Sequence, residues 1–571
     1  MFCANQFRWF LFLVLALAGE RLLGVELPKA SQKWLGARSQ HFLTTSCLDQ
    51  SDTQELTQDF ERFRAMLHRV LGEGNAKGQI LELPVKVFLF SNSTQFEQYC
   101  NLPSRTGYYL QDMNGFNLAL VQGQQDARRM VFHEYFHYHL RRIAPDLNYP
   151  LWANEGLACL YEMTSLEKKL VKIGMPNSGW LRTLIQERPL PMARLLQVQY
   201  DSPEYQKGPV MERFYASSWL AAHYLTIGNP ARRRQMPEYL GRLRAGHTPE
   251  EAFQAAFKTT PEGLDQELST YLHTCKRSMA FLEVPLLDNQ NQGSIRPEPL
   301  PHSEVLSRLG FFLSGHPSRV EDARSHFQEA LRVDSGCALA MAGMSHLGDL
   351  PTPTEASSKW IDQAIEAKPD PMFYFMRARL GLRQGINTPE KTTAVLKDLL
   401  EATKAGIGEP WALDLAGQLG GHQGLNAGSL ELLGELAELC PTHLGLRLGL
   451  ALGKTQQGQF KEARTLLEPL TTNQDPEVAG KAGIYLSQID AIEKQTAQQA
   501  IETAVREKIR QAESRISAED PDGALILFRQ AKELNPQGDL AQWLDQTMLN
   551  FETKKARPPQ TTRKGKAPRR K

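Results

Sequence analysis

The chain has 571 residues, 41% hydrophobic and 23% charged, with a formal net charge of +1. That balance excludes a collagen-like, mucin-like or wholly disordered chain, and no apolar run reaches the roughly 18 residues a membrane span needs, which excludes a polytopic membrane protein. The charge is uneven: residues 554–571 hold nine Lys and Arg and no acid, leaving the body before them at about −8, a sign that argues against nucleic acid as the main ligand. At the N-terminus, Arg8 ends a short n-region, Trp9 to Ala18 form an apolar stretch, and Ala16-Leu17-Ala18 offers a small-x-small cleavage site. Residues 1–18 therefore read as a signal peptide, and the protein as exported: periplasmic, secreted or envelope-associated.

After the leader, Leu56, Phe60, Phe63, Leu67 and Leu71 recur at helical spacing within Gln54–Leu71. Leu83 to Phe90 reads as a strand. Two extended pieces follow, Gly107–Gln111 and Phe116–Val121, joined through Asn114-Gly115 as a hairpin. From Asp126 to about Leu282 the reading is helical, broken at prolines. A few strands followed by many helices give an α+β domain over 25–282 with its core at 80–275. Residues 283–302, with Pro285, Pro297, Pro299 and Pro301, read as a linker.

Beyond the linker a pattern repeats. Ala323, Phe327 and Ala330 recur as Ser357, Ile361 and Ala364, 34 residues on, and again as Ser429, Leu433 and Leu436, as Ala463, Leu467 and Leu470, and as Ala524, Phe528 and Ala531. Small residues seven apart with a bulky one between resemble tetratricopeptide repeats, which predicts an all-α solenoid over 303–550 with protein partners on its concave face. The basic tail, 551–571, is placed to touch anionic envelope polymer or lipid weakly. Six cysteines after the leader, scattered and without CxxC pairs, point to isolated buried thiols rather than a thiolate metal site or dense disulfide framework.

The chemistry-bearing signal is His133-Glu134-Tyr135-Phe136-His137 inside the helical segment Ala127–Arg142. Residues four apart leave a helix about 40° from each other, so both imidazoles can share a metal. Glu134, about 100° round, falls beside the open coordination position, where it can take a proton from water. Glu155, in Pro150-Leu151-Trp152-Ala153-Asn154-Glu155-Gly156-Leu157-Ala158, lies on the apolar side of a second helix that an antiparallel return would bring to the same ion. Two His and one Glu leave a fourth position open, as in catalytic zinc sites.

HExxH followed at this distance by W-x-N-E-G-x-A resembles the gluzincin metallopeptidases, especially the aminopeptidase-N and leukotriene-hydrolase branch. The order of strand, hairpin, zinc motifs and tetratricopeptides resembles the bacterial peptidase-MA-like proteins still more. The resemblance covers about residues 80–275. It implies a zincin-like catalytic domain of small mixed sheet plus helices, Zn²⁺ held by His133, His137 and Glu155, Glu134 as general base on a zinc-activated water, and a peptide or protein substrate. Tyr215, in Y-A-S-S-W-L-A-A-H-Y-L, resembles the tyrosine that stabilises the oxyanion. The G-x-M-E-N segment of the aminopeptidases is missing, since Met113 to Leu120 holds no glutamate, so aminopeptidase specificity is not expected. Asn154 is expected to orient Glu155 or the water, Phe116–Val121 to serve as the edge strand that pairs a peptide, His139 to face the surface, and His223, Tyr224 and Cys159 to be packed core groups. The alternative function is a binding scaffold whose zincin-like module is catalytically inactive.

Overall fold

The computed structural model describes residues 24–71, 81–100, 107–122, 125–143, 149–167, 170–206, 208–275, 280–283, 295–349, 353–386, 388–421, 425–473 and 475–555. The expected leader, most of the linker and most of the basic tail lie outside them. The chain divides into two compact units, one reaching Leu415 and including Glu438–Thr442, the other comprising Ala416–Ala437 and His443 onward. Among the described residues no helix is long and apolar enough to cross a membrane, and no disulfide joins the six cysteines.

Among the described residues the first unit is built on nine strands: β1 (Leu35–Arg38), β2 (Phe42–Ser46), β3 (Val85–Phe90), β4 (Gly107–Asp112), β5 (Gly115–Val121), β6 (Ser165–Leu166), β7 (Leu170–Ile173), β8 (Ala280–Glu283) and β9 (Glu298–Pro299). Six form one mixed sheet in the order β4-β5-β3-β2-β1-β9, and β6-β7-β8 form a small second sheet. β2, β3 and β5 run parallel, while β4 pairs antiparallel with β5. Alternate residues of the central strands feed two different cores, as the two-residue period of a strand requires. Val87, Leu89, Leu118 and Leu120 face one side; Phe88, Phe90, Ala119 and Val121 face the other. With both faces covered, β5 is buried at every position and reads as a continuous apolar run rather than an alternating one.

The first side carries α1 (Gln50–Leu71) and, after α2 (Ser93–Cys100), α3 (Gln125–Ile143) and α4 (Leu151–Glu162). There Phe63 stacks on Phe132 at 3.9 Å. Then come α5 (Ser178–Glu187), α6 (Met192–Leu195), α7 (Pro203–Gln206), α8 (Pro209–His223), α9 (Gln235–Arg244), α10 (Pro249–Phe257) and α11 (Pro261–Leu272), whose apolar residues join the same core.

The core on the opposite side of the sheet is shared with α2 and with helices beyond the expected linker, α12 (His302–Ser314), α13 (Val320–Val333), α14 (Ala338–Gly348), α15 (Glu355–Ala367) and α16 (Pro371–Gln384), and α17 (Pro389–Lys404) follows. α12 pairs with α13, α14 with α15 and α16 with α17. Phe312 of α12 lies 4.7 Å from Phe88 of β3, ring to ring, and Trp34, Phe90, Leu309, Phe327 and Phe373 belong to one core. β9, within the expected linker, pairs with β1, and the first helical pairs share a core with the sheet.

The chain continues through α18 (Pro410–Leu419), α19 (Ala427–Leu439), α20 (Leu444–Gln456), α21 (Phe460–Leu467), α22 (Pro476–Ser517), α23 (Pro521–Glu533) and α24 (Gly538–Lys555). In the second unit Gly417 and Gly420 meet Gly445 and Gly449 so closely that a Cβ on Gly420 would stand 2.0 Å from the Gly449 carbonyl oxygen. α22 has 42 residues, longer than the repeat period predicts. Other corrections concern strands: residues 126–282 are interrupted by β6, β7 and β8, and one edge of the large sheet among the described residues is β4, not Phe116–Val121; β1 and β2 lie ahead of the first expected element, the helix from Gln54.

Candidate metal centre

α3 is held on several sides at once. Val131, Phe132, Tyr135, Phe136, Tyr138 and Leu140 are all buried, and Phe116 stacks on Tyr138 at 4.5 Å. That fixes the rotation of the helix and turns His133 and His137 together toward α4. α4 is buried along almost its whole length, with Trp152 packed 5.8 Å from Tyr239. Gly156 explains why α8 can lie so close: a Cβ there would stand 2.4 Å from the Ser218 carbonyl oxygen. The glycine after Glu155 thus lets α8, which carries Tyr215, approach the glutamate.

Three side-chain atoms converge between these helices. His133 Nε2 lies 3.1 Å from His137 Nε2 and 3.2 Å from Glu155 Oε2, and His137 Nε2 lies 3.4 Å from the same oxygen. The other nitrogen of each ring faces an oxygen: His133 Nδ1 to Glu162 Oε2 at 2.9 Å and His137 Nδ1 to Asn154 Oδ1 at 3.1 Å. Both acceptors assign the ring proton to Nδ1, which leaves the two Nε2 lone pairs and a carboxylate oxygen pointing at one spot. Three electron pairs at such separations repel unless a proton or a metal cation lies among them. Ligands about 2.0–2.1 Å from a tetrahedral zinc stand about 3.3 Å apart, so the triangle fits that ion.

The electrostatics follow from burial and proximity. Burial alone would raise the Glu155 carboxyl, but the two imidazoles more than offset it and hold it well below the usual carboxylate range. Burial opposes protonation of His133, and its contacts with Cys159, Glu155 and Glu162 prevail, raising it well above an ordinary histidine. Glu134, half-buried beside the triangle, is pushed above its usual value by burial, with His133 and His137 pulling the other way. Its charge acts first, and burial second, to lift Tyr109 of the edge strand to about 12.

Tyr215 is half-buried, its ring 6.3 Å from that of His133, and burial raises its phenol. Asn154 sits on His137 rather than on Glu155. His139 is buried, 4.6 Å from the ring of His68, because α1 covers that side of α3; the surface placement was wrong. His223 is buried between the Gly174 carbonyl and the Tyr271 hydroxyl, Tyr224 meets Glu267 at 2.5 Å, and burial lifts the Cys159 thiol to about 12.

Two groups were not foreseen. Glu162, anchored by Arg129 at 2.8 Å, is two turns past Glu155 on the same helix, a spacing that could have marked it. Tyr205, on the short α7, donates to Glu155 Oε1 at 2.8 Å and stacks near Tyr215 with ring centroids 6.1 Å apart; no motif announces it. Among the described residues a second ligand group, His133, Cys159 and Glu162, shares His133 with the first, but there Glu162 already takes the Nδ1 proton and the thiol lies 4.0 Å away.

No family model matches the chain, and no curated protein matches it. Among solved structures, the human IFIT1 dimer with PPP-AAAA is 14% identical over 67% of this chain and 86% of its own, at a TM-score of 0.18. The human IFIT1 dimer with m7Gppp-AAAA is 14% identical over 67% and 87%, at a TM-score of 0.19. At those TM-scores the likeness carries no argument about this protein.

Proposed function

We propose that the protein is an exported zinc-dependent peptidase: a gluzincin-type domain with tetratricopeptide-like helical pairs that dock partners or substrate. The observation that carries this reading is the meeting of His133 Nε2, His137 Nε2 and Glu155 Oε2 within 3.4 Å of one another, beside a half-buried carboxylate with no metal-facing duty. Bound at that triangle, zinc would supply Lewis-acid polarisation of a carbonyl and acidification of a water molecule.

The chain's own residues would do the rest. Glu162 and Asn154 hold the two ring protons, so each imidazole keeps its lone pair turned inward. Tyr205 holds Glu155 Oε1 and leaves Oε2 facing the histidines. Glu134, its carboxyl raised by burial, accepts a proton from water and returns it to the leaving amine. Tyr215, kept neutral by burial, donates to the oxyanion. β4, with Tyr109 41% exposed, offers the free edge on which an extended peptide adds as a further strand.

The test is Glu134→Gln on the full chain, assayed with a peptide library alongside zinc content. The expected result is zinc retained and turnover abolished. Equal turnover in the variant removes the general-base role, and zinc without turnover in the unaltered protein favours the inactive-scaffold alternative.

A further inference from the structure

The first unit contains a separate cavity of about 1520 Å³ whose lining includes none of the metal-centre residues. One wall comes from the sheet side, the other from the helical pairs, so neither alone makes it. Its lining carries seven Lys and Arg against four carboxylates. Two of those carboxylates cancel two of the cations: Glu82 with Arg64 at 3.2 Å and Glu304 with Arg308 at 2.6 Å. A third, Asp370, caps α16 through the Met372 amide. Arg38, Arg69 and Lys368 are exposed at the rim, and the cavity is left with a cationic surplus.

The floor holds unspent donors. Lys86 gives one bond, 2.7 Å to the Asn114 carbonyl, and lies 6.0 Å over the Phe311 ring. Asn114 is 3% exposed. Its Oδ1 accepts from Arg379 at 3.1 Å, which fixes the amide orientation, and its Nδ2 has no partner among the described residues. A buried donor without an acceptor is an expensive feature that a ligand acceptor relieves. Burial, with Arg379 beside it, holds the Lys86 ammonium below its ordinary value although Asp112 pulls the other way, and a further anion brought to it would raise it.

We propose that this cavity binds an acidic peptide segment, one carboxylate meeting Lys86 and Asn114 on the floor and further acids meeting Arg38 and Lys368 at the rim. The volume exceeds the roughly 300–1,000 Å³ of small-molecule pockets. Phe311, Met372 and Phe373 on its wall suit side chains between the acids, while the four carboxylates of the lining, Glu82, Glu304, Asp334 and Asp370, disfavour a uniform polyanion such as nucleic acid. The inference is independent of the metal centre.

The experiment measures fluorescence anisotropy of a labelled peptide alternating Glu and Leu against the full chain, with an alternating Lys and Leu peptide and a labelled oligoadenylate as comparisons. The acidic peptide is expected to bind, with affinity falling as salt rises. The double variant Arg38→Glu, Lys368→Glu, altered only at exposed positions, is expected to lose roughly tenfold or more with its circular dichroism and zinc content unchanged, and Lys86→Met to lose binding as well. Equal binding of the basic peptide, preferential binding of the oligoadenylate, or unchanged affinity in the double variant overturns the proposal.

Discussion

Replacing Tyr205 by Phe removes one oxygen and leaves the ring stack on Tyr215 in place, so it deletes the hydroxyl's bond to Glu155 together with its contact with the Tyr215 hydroxyl. That bond, 2.8 Å from the phenol to Glu155 Oε1, runs to a carboxylate that is 4% exposed. Bonds to charged groups contribute about 1.5–3 kcal/mol, and supports of this kind change metal affinity about 10–100-fold, or about 1.4–2.8 kcal/mol; the two ranges agree. The freed carboxylate would rotate, trading one firmly presented oxygen for two loosely held ones. Zinc affinity, measured by competition with a chromophoric chelator, should fall by that factor in Tyr205→Phe and stay unchanged in Tyr215→Phe, whose loss should fall on turnover. Equal zinc affinity for Tyr205→Phe and the unaltered chain would refute the assignment of Tyr205 as the residue that positions Glu155.

Gly156→Ala should force α4 and α8 apart, since the added carbon meets the Ser218 carbonyl oxygen at 2.4 Å and the Ala222 Cβ at 3.1 Å; a loss of about 1–3 kcal/mol in thermal or denaturant unfolding and reduced turnover are expected, and wild-type values of both would contradict the close-crossing argument. Acid should destabilise the first unit. Burial depresses His326 to about 4 despite its bond to the Asp322 carbonyl, and burial with Arg379, Lys86 and Arg383 nearby pushes His346 well below its ordinary value. Between about pH 4 and 6.5 the unfolded chain then binds more protons than the native one, so stability is full above about 6.5 and falls as pH drops, by about 1.4 kcal/mol per unit per histidine at most. Unfolding midpoints measured across that window should show the decline, and His326→Gln should make it shallower by that residue's share; a flat profile in the unaltered chain would refute the argument.

What the sequence reveals here is what local periodicity encodes. The paired histidines and Glu155 follow from helical spacing, and the small-bulky-small pattern marks buried positions: Ala323, Phe327 and Ala330 are all fully buried, as are Ala524, Phe528 and Ala531 to within 1%. Short strands lack such a signal. β6 has two residues and β1 buries one position of four, and pairing across the sheet, not propensity, makes them strands. Long-range packing misleads in the same way: His139 faces away from the metal triangle, yet α1 returns to cover it. β5 is interior rather than an edge because β3 pairs along its other side, a parallel contact that the hairpin signal at Asn114-Gly115 does not carry. Tyr205 is out of reach of any motif, since its position depends on where a four-residue helix lands, 50 residues after Glu155.

The central claim is tested most directly by X-ray absorption at the zinc edge on the full chain loaded with one equivalent of zinc. The account predicts two imidazoles and a carboxylate at about 2.0–2.1 Å with no sulfur, and loss of that shell in His137→Ala. A sulfur at about 2.3 Å, which would place the ion on Cys159 and Glu162, or a spectrum unchanged in His137→Ala, would contradict it.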